Sequence, residues 1–334
     1  MEPYAELQVT SNFTFLRGAS HPHELVETAA SLGQQAIAIT DRNSLAGVVR
    51  AHIAAKPLSI KLLVATRLDF ADGPSLLCLP TNYKAYRQLA TLLTLGKQRT
   101  IKGQCELYYS DLTEIYDDQI FIALPPKKMD AVFVDDLKNI ADRAPGRCYL
   151  AASHNYLNNS LDNIARLGEI AYFSHIPLVA TNDVHYHVPK RRVLQDTITC
   201  IRESCTIDQA GFRLAANAEQ YLKSPEEMAR LFKSYPEAIA QTIEIADTCT
   251  FSLDDLQHQY PEELAPDNLP PQDHLTHLTL QGAYERYSGN VPDKVHQQIG
   301  RELKLIKQLG YCLLYTSDAA DDTPCVDLGG RRII

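Results

Sequence analysis

The sequence predicts an α/β fold built on a largely parallel sheet, and three observations carry that prediction. Strand-like apolar runs alternate with amphipathic helix-like runs through the first two thirds of the chain, the order expected of βαβ units. The segment Ala180-Thr-Asn-Asp-Val-His-Tyr186 follows the apolar run Ile176 to Val179. Asp183 and His185 therefore stand just past a strand's C-terminal end, where barrels and open α/β sheets keep their chemistry. The stretch Ile37-Ala-Ile-Thr-Asp-Arg-Asn-Ser-Leu-Ala-Gly47 repeats the form: a short apolar strand, then Thr40 and Asp41, then a helix start. Pattern alone leaves an open sheet and a closed barrel as alternatives.

Each element has a local reason. Strands are expected at Ala5–Val9, Ala36–Ile39, Leu62–Thr66, Ile120–Leu124, Cys148–Ala152 and Leu178–Ala180, with Leu76–Leu79 a hairpin strand beyond Asp72-Gly73. A helix from Pro22 to Leu32 has Ser20 or His21 at its cap, Gly33 as its stop, and Leu25, Ala29 and Leu32 facing inward. A second runs from Leu161 to Phe173, capped by Ser160, with Ile164, Leu167 and Ile170 inward. Ser224-Pro-Glu-Glu227 has the capping-box spacing, and Ser234-Tyr-Pro-Glu237 repeats it before a helix over Ala238 to Cys249. The stretch 254–273 is acidic and holds Pro261, Pro266, Pro270 and Pro271, so it reads as a linker. Pro292 to Leu309 is an amphipathic helix with Val295, Ile299, Leu303, Ile306 and Leu309 on one face.

Composition excludes several classes. No apolar run approaches the roughly 20 residues of a membrane span, and the N-terminus lacks signal-peptide character, so a cytoplasmic chain without membrane contact is expected. The net charge of −9 argues against a freestanding, electrostatically driven DNA binder. Tyrosines do not interleave with Lys or Arg as in a base-stacking platform, and the basic cluster Lys190-Arg-Arg192 reads as a solvated loop. The eight cysteines show no metal or disulfide spacing. There is no nucleophile elbow and no phosphate-binding Gly-rich loop. His21, His23, His52, His175 and His187 read as surface or capping groups.

The opening Tyr4-Ala-Glu-Leu-Gln-Val-Thr-Ser-Asn-Phe-Thr-Phe-Leu-Arg-Gly-Ala-Ser20, the Asp41 and Asp183/His185 units, Ala71-Asp-Gly-Pro-Ser-Leu-Leu-Cys78, Leu194-Gln-Asp-Thr-Ile-Thr-Cys-Ile-Arg-Glu203 and Arg213-Leu-Ala-Ala-Asn-Ala-Glu219 together carry a resemblance. From about Tyr4 to Tyr311 the chain resembles the PHP (polymerase and histidinol phosphatase) domain that begins bacterial C-family DNA polymerases, in their error-prone branch, together with the start of the catalytic region. The resemblance implies an α/β fold of the PHP type, a distorted β/α barrel of about seven strands followed by helices. It divides the chain into a PHP domain at 1–253 with a helical end at about 222–250, a linker at 254–273, and a truncated start of the catalytic region at 274–311. Residues 312–334 have no clear period and read as a non-native tail, translated adapter sequence joined to a truncated gene. They are expected to pack poorly, and their deletion to leave the thermal midpoint unchanged.

The resemblance also implies a metal cluster, because PHP enzymes gather His, Asp and Glu ligands from several strand ends. This chain departs from that pattern. The first motif, a His-x-His in the family, reads Gln8 and Thr10 here; neutral Gln and Thr are poor ligands beside imidazole. The second keeps Asp41 but has Arg42 for its His. The third places Arg67 where the family has a Glu. Arginine among ligands repels a metal by several kcal/mol at about 4 Å. Asp41, Asp183 and His185 survive, and Glu6 and His154 fall near other ligand positions. Arg42 or Arg67 is expected to pair with Asp41 or Asp183 and fill the metal's place, leaving no catalytic residue in this chain and weak metal binding at most.

The function implied is that of an error-prone polymerase acting in damage-induced translesion synthesis. Its remaining part would use Mg²⁺, DNA and deoxynucleotides, with mutagenesis-complex or clamp partners, and this barrel would be a structural brace. The alternatives are an independent metal-dependent phosphoesterase or 3′–5′ exonuclease, and a non-catalytic interaction module.

Overall fold

The computed structural model describes residues 3–126, 129–157, 159–256 and 269–309, which fall in two compact units, Met1–Leu256 and Gln257–Ile334. In the first unit the chain runs β1 (Ala5–Val9), α1 (Pro22–Ser31), β2 (Ala36–Ile39), α2 (Val48–Ala55), β3 (Lys61–Val64), β4 (Thr66–Leu68) and β5 (Leu76–Pro80). It continues with α3 (Tyr83–Gln98), β6 (Gln119–Ala123), α4 (Ala131–Arg143), β7 (Cys148–Ser153), α5 (Ser160–Ser174) and β8 (Leu178–Thr181). Helices α6 (Arg192–Arg202), α7 (Ile207–Ala210), α8 (Pro225–Leu231) and α9 (Pro236–Thr248) complete it.

These strands make the predicted distorted barrel. β1, β2 and β3 pair in parallel, as do β6, β7 and β8. β5 lies antiparallel between β4 and β6, the hairpin signalled by Asp72-Gly73. The predicted strand Leu62–Thr66 is two strands: only Ala65 separates β3, which pairs with β2, from β4, which pairs with β5. The chain bends there and hands its hydrogen bonds from one half of the barrel to the other. Counting β3 and β4 as one bent strand, seven go round. Closure between β1 and β8 is made just past the strand ends, where Val184 N–H donates to Gln8 O (2.9 Å) and Thr10 N–H to Val184 O (2.8 Å).

Alternation along the strands sorts the core. Ala5, Leu7, Ala36, Ala38, Leu63, Leu77, Leu79, Ile120, Ile122, Ala151 and Val179 form one buried cluster with Ile245 and Ala246 of α9 and with Cys249 just after it. Small alanines at five of these positions leave room for the larger neighbours. α9 packs on β1 and β8, and Thr242 Oγ1 accepts the Ala5 N–H at 3.1 Å. The intervening side chains of β5–β8 pack under α3, α4 and α5, and those of β2 under α1 and α2.

The helix caps follow the sequence in part. Ser224 Oγ accepts the Glu227 N–H at the start of α8, as its spacing predicts. Ser224→Ala is expected to lower stability by about 1 kcal/mol, read from the urea midpoint; an unchanged midpoint would mean the cap contributes nothing. Two other caps are corrections. Ser160 is the first residue of α5, after an Asn159 N-cap; its hydroxyl accepts from Leu157 N–H and donates to Asn155, so it fastens the preceding loop. α9 begins after Tyr235, and Ser234 plays no capping part. The Lys190-Arg-Arg192 cluster is also not simply solvated: Arg191 pairs with Glu24, and Arg192 pairs with Asp196 and bonds the carbonyls of Ala215 and Asn217. His21 and His175 stand at helix caps, as expected.

The second unit contributes α10 (Pro271–Arg286) and α11 (Asp293–Leu309). α10 begins where the predicted linker ends, so only 254–270 of that stretch precedes it; residues 257–268 lie outside the described ones. On α11, Val295, Ile299, Leu303 and Ile306 are half-buried. The tail 312–334 lies outside the described residues. Among the described residues, no helix is long and apolar enough to cross a membrane.

Candidate functional site

The C-terminal ends of β1, β2, β4 and β8 bring Gln8, Thr10, Asp41, Arg42, Arg67, Asp183 and His185 to one end of the barrel. Asp41, two residues past the end of β2, is 1% exposed, and both carboxylate oxygens are taken. Oδ1 accepts from Ser11 N–H (2.9 Å) and Thr14 Oγ1 (2.7 Å), and Oδ2 from Ser11 Oγ (2.7 Å). Burial raises its pKa against the pull of those donors. Gly47 lets α2 start against this carboxylate, since a Cβ there would stand 2.5 Å from Asp41 Oδ2. Asp41 thus ties the loop after β1 to the loop after β2.

Contrary to the sequence expectation, neither Arg42 nor Arg67 pairs with Asp41 or Asp183 among the described residues; both pair with Asp69. Arg42 Nη1 lies 3.0 Å from Asp69 Oδ2 and Arg67 Nε 2.7 Å from Asp69 Oδ1, while Ser75 Oγ donates to the same Oδ1 at 2.6 Å. The hairpin register explains the choice: Asp69 is two residues beyond Arg67 and follows β4 directly, so it reaches both cations locally. Burial raises the Asp69 pKa, but Arg67, Ser75 and Arg42 outweigh it and the net shift is downward. Burial and the neighbouring Arg67 push Arg42 down to about 10. Arg67 acts on Asp183 through space and makes no ion pair with it among the described residues.

Asp183 is held by amides. Gln8 Nε2 donates to Oδ1 at 2.7 Å, Gln220 Nε2 to Oδ2 at 2.8 Å, and His185 Nε2 stands 3.5 Å from Oδ1. Burial raises its pKa, but His185, Arg67 and Gln220 prevail and hold it at about 2. Its backbone is left-handed, with φ 45°, a strained conformation for a residue other than glycine. Gln8 spends its other end on Thr181 Oγ1 (2.9 Å). Thr10 is buried, and its backbone makes the closing bond described above.

Glu6 and His154 are not part of this group. A register shift in β1 between Glu6 and Val9 separates Glu6 from the Gln8 side chain. Fully buried in the β1–β8 seam, Glu6 accepts from Tyr4 OH (2.8 Å), Gln8 N–H (3.0 Å) and Asn182 N–H (3.2 Å). Burial lifts its pKa to about 7, although those donors and Lys223 pull the other way. His154 lies edge-on to Tyr156 (4.9 Å between centroids), and burial lowers its pKa. Lys223, which sequence reasoning missed, has a fully buried side chain whose Nζ bonds Asn182 Oδ1 (3.2 Å) and Glu219 O (2.5 Å) and lies over the Tyr221 ring. Asp69, Ser11, Thr14 and Gln220 were missed too. Among the described residues no three His, Cys, Asp or Glu side chains are placed to hold one metal ion.

Residues 6–132 match the family described as the PHP domain. The chain carries a PHP domain and is homologous to error-prone DNA polymerases. It is 51% identical over 309 residues to the error-prone DNA polymerase of Caulobacter vibrioides, and 44% identical over 308 residues to error-prone DNA polymerase 2 of Agrobacterium fabrum. Each match covers 92% of this chain and 28% of the relative, so the chain spans under a third of the length of these polymerases. Among solved structures, an amidohydrolase from Chromobacterium violaceum is similar at TM-score 0.44 and 15% identity, covering 55% of this chain and 87% of the other.

Proposed function

We propose that this chain is the PHP region of an error-prone, translesion DNA polymerase, and that its barrel braces the polymerase without hydrolytic chemistry of its own. The observation that carries the reading is identity of 40–51% to polymerases of that name across 92% of the chain. The parent would extend a primer on DNA with deoxynucleotides and Mg²⁺ in the region beyond this chain, in the cytoplasm and beside clamp or mutagenesis-complex partners. The PHP domain would occupy 1–253, the linker 254–273 and the start of the catalytic region 274–311, with 312–334 a non-native tail.

The brace reading is supported by how the candidate ligands are occupied. Asp41 spends both oxygens on Ser11 and Thr14, and Asp183 spends its own on Gln8 and Gln220. Gln8 and Thr10 are neutral, and Arg42 and Arg67 bring positive charge. These residues do not fit the metal cluster of PHP enzymes.

Two assays test the reading separately. Purified chain is expected to carry well under one equivalent of Zn²⁺ or Mn²⁺ and to leave phosphate esters and 3′-ended strands intact. Near-stoichiometric metal, with hydrolysis abolished by Asp183→Ala, would overturn the brace and favour an independent phosphoesterase. The product of the complete gene is expected to extend a primer while this chain does not; no extension by the complete product would overturn the polymerase reading.

A further inference from the structure

Beside the barrel mouth lies a groove of about 690 Å³ built from three separate segments: the loop after β1, the loop after β2, and the end of α3 with the turn that follows. Its cations are Arg42, Lys97 and Lys102, its apolar surfaces are Phe13, Phe15 and Ile101, and no carboxylate lines it. In a chain of net charge −9, a groove with three cations and no anion is a local inversion of sign. Arg42 gives one nitrogen to Asp69, and Lys97 and Lys102 make no ion pair among the described residues. Away from the groove, Arg67 and Arg17 lower the Arg42 pKa while Asp69 and Asp183 raise it, and Arg17 makes no ion pair among the described residues. Phe15 is 82% exposed and Ile101 73%, so the groove offers bare apolar faces next to its charges. Phe13 is held from behind by Arg50, whose guanidinium carbon is 5.6 Å from the ring centroid.

We propose that this groove binds single-stranded nucleic acid, with phosphates on Arg42, Lys97 and Lys102 and a base stacked on Phe15. Both halves of that ligand are needed to match the surface. A lone phosphate uses the cations and leaves the exposed ring uncovered, and a duplex presents phosphates but keeps its bases stacked on one another. Cations along a groove with exposed aromatic faces are the pattern by which single strands are held without sequence preference. The groove lies outside the Asp41 and Asp183 positions. It also does not depend on the polymerase reading, because the chain can hold a strand whether or not it belongs to a polymerase.

The test is fluorescence anisotropy of a labelled oligothymidylate of about twelve nucleotides titrated with the purified chain at low salt. Binding is expected, with log affinity falling against log salt at a slope of about −2, three phosphate contacts at roughly 0.7 each. Phe15→Ala should weaken binding about tenfold at an unchanged slope, since base stacking is worth on that order. Lys97→Gln with Lys102→Gln should bring the slope to about −0.7. All three side chains are exposed, and unchanged circular dichroism melts will show that the variants fold. No binding at low salt, equal binding by both variants, or a preference for duplex would overturn the proposal. So would equal displacement by polyglutamate, which would assign the groove to an acidic peptide. Primer extension by the complete gene product stands or falls apart from all of these outcomes.

Discussion

Asp41→Ala is expected to cost about 4 kcal/mol of stability, with or without added metal. The substitution leaves Ser11 N–H, Ser11 Oγ and Thr14 Oγ1 facing a gap that the carboxylate now fills. An orphaned buried donor costs about 1–3 kcal/mol. The two hydroxyls can turn to other acceptors, whereas the Ser11 amide is fixed by the chain and bears its full penalty. Thr14 Oγ1 also accepts the Arg42 N–H at 3.1 Å, so turning it disturbs a second bond. Asp41→Asn is the control. It keeps the shape and one acceptor oxygen, and the new amide can donate to a rotated Ser11 hydroxyl, so a loss of about 1–2 kcal/mol is expected. Urea unfolding of the three proteins in chelator and in Zn²⁺ separates the roles. A loss seen only with Zn²⁺ present would make Asp41 a metal ligand and sink the structural account.

Much of this fold is written in local patterns. β1 and β2 match their expected bounds, and α1 stops at the Gly33 that its sequence signals. Partner choice is not written there. The run Leu62 to Ala65 is evenly apolar, so nothing in its periodicity marks Ala65 as the point where the strand leaves β2 for β5. The site shows the same division. That Arg42 and Arg67 bring positive charge to ligand positions was legible, because residue type decides it. Their common partner was not, because Asp69 belongs to no motif and becomes their neighbour only through the hairpin. Glu6 was legible only as a carboxylate near a ligand position of the family. Its role as a seam latch depends on a register irregularity that a two-residue period cannot express. The nucleic-acid groove was invisible for a related reason: Phe15, Arg42 and Lys102 are dispersed in sequence, and no single segment has the interleaving that was sought.

Glu6→Gln is expected to stabilise the protein at pH 8 relative to the parent, by about 3 kcal/mol, and to give no such gain near pH 4. Burial raises the folded-state pKa of Glu6 from 4.5 to about 7. Below pH 4.5 the carboxyl is protonated both folded and unfolded, and it contributes no pH dependence. Between pH 4.5 and about 7 the folded chain keeps the proton while the unfolded chain releases it. Stability therefore falls as pH rises through this window, then levels off. A rise from 4.5 to about 7 corresponds to about 3 kcal/mol. Glutamine stays neutral throughout: its oxygen can accept from Gln8 and Asn182, and its amide can donate to Tyr4 OH. The comparison must be between the two proteins at each pH, because other groups titrate nearby. His154 and His187, both lowered by burial, lose stability in the opposite direction as pH falls through the imidazole range. Asp183, held at about 2, loses it only below the ordinary carboxylate range. Those contributions are common to parent and variant and cancel in the difference. Unfolding free energies from pH 4 to 8 provide the measurement. A difference that stays flat across this range would show that Glu6 is ionised in the fold, with Lys223 and the seam amides outweighing its burial.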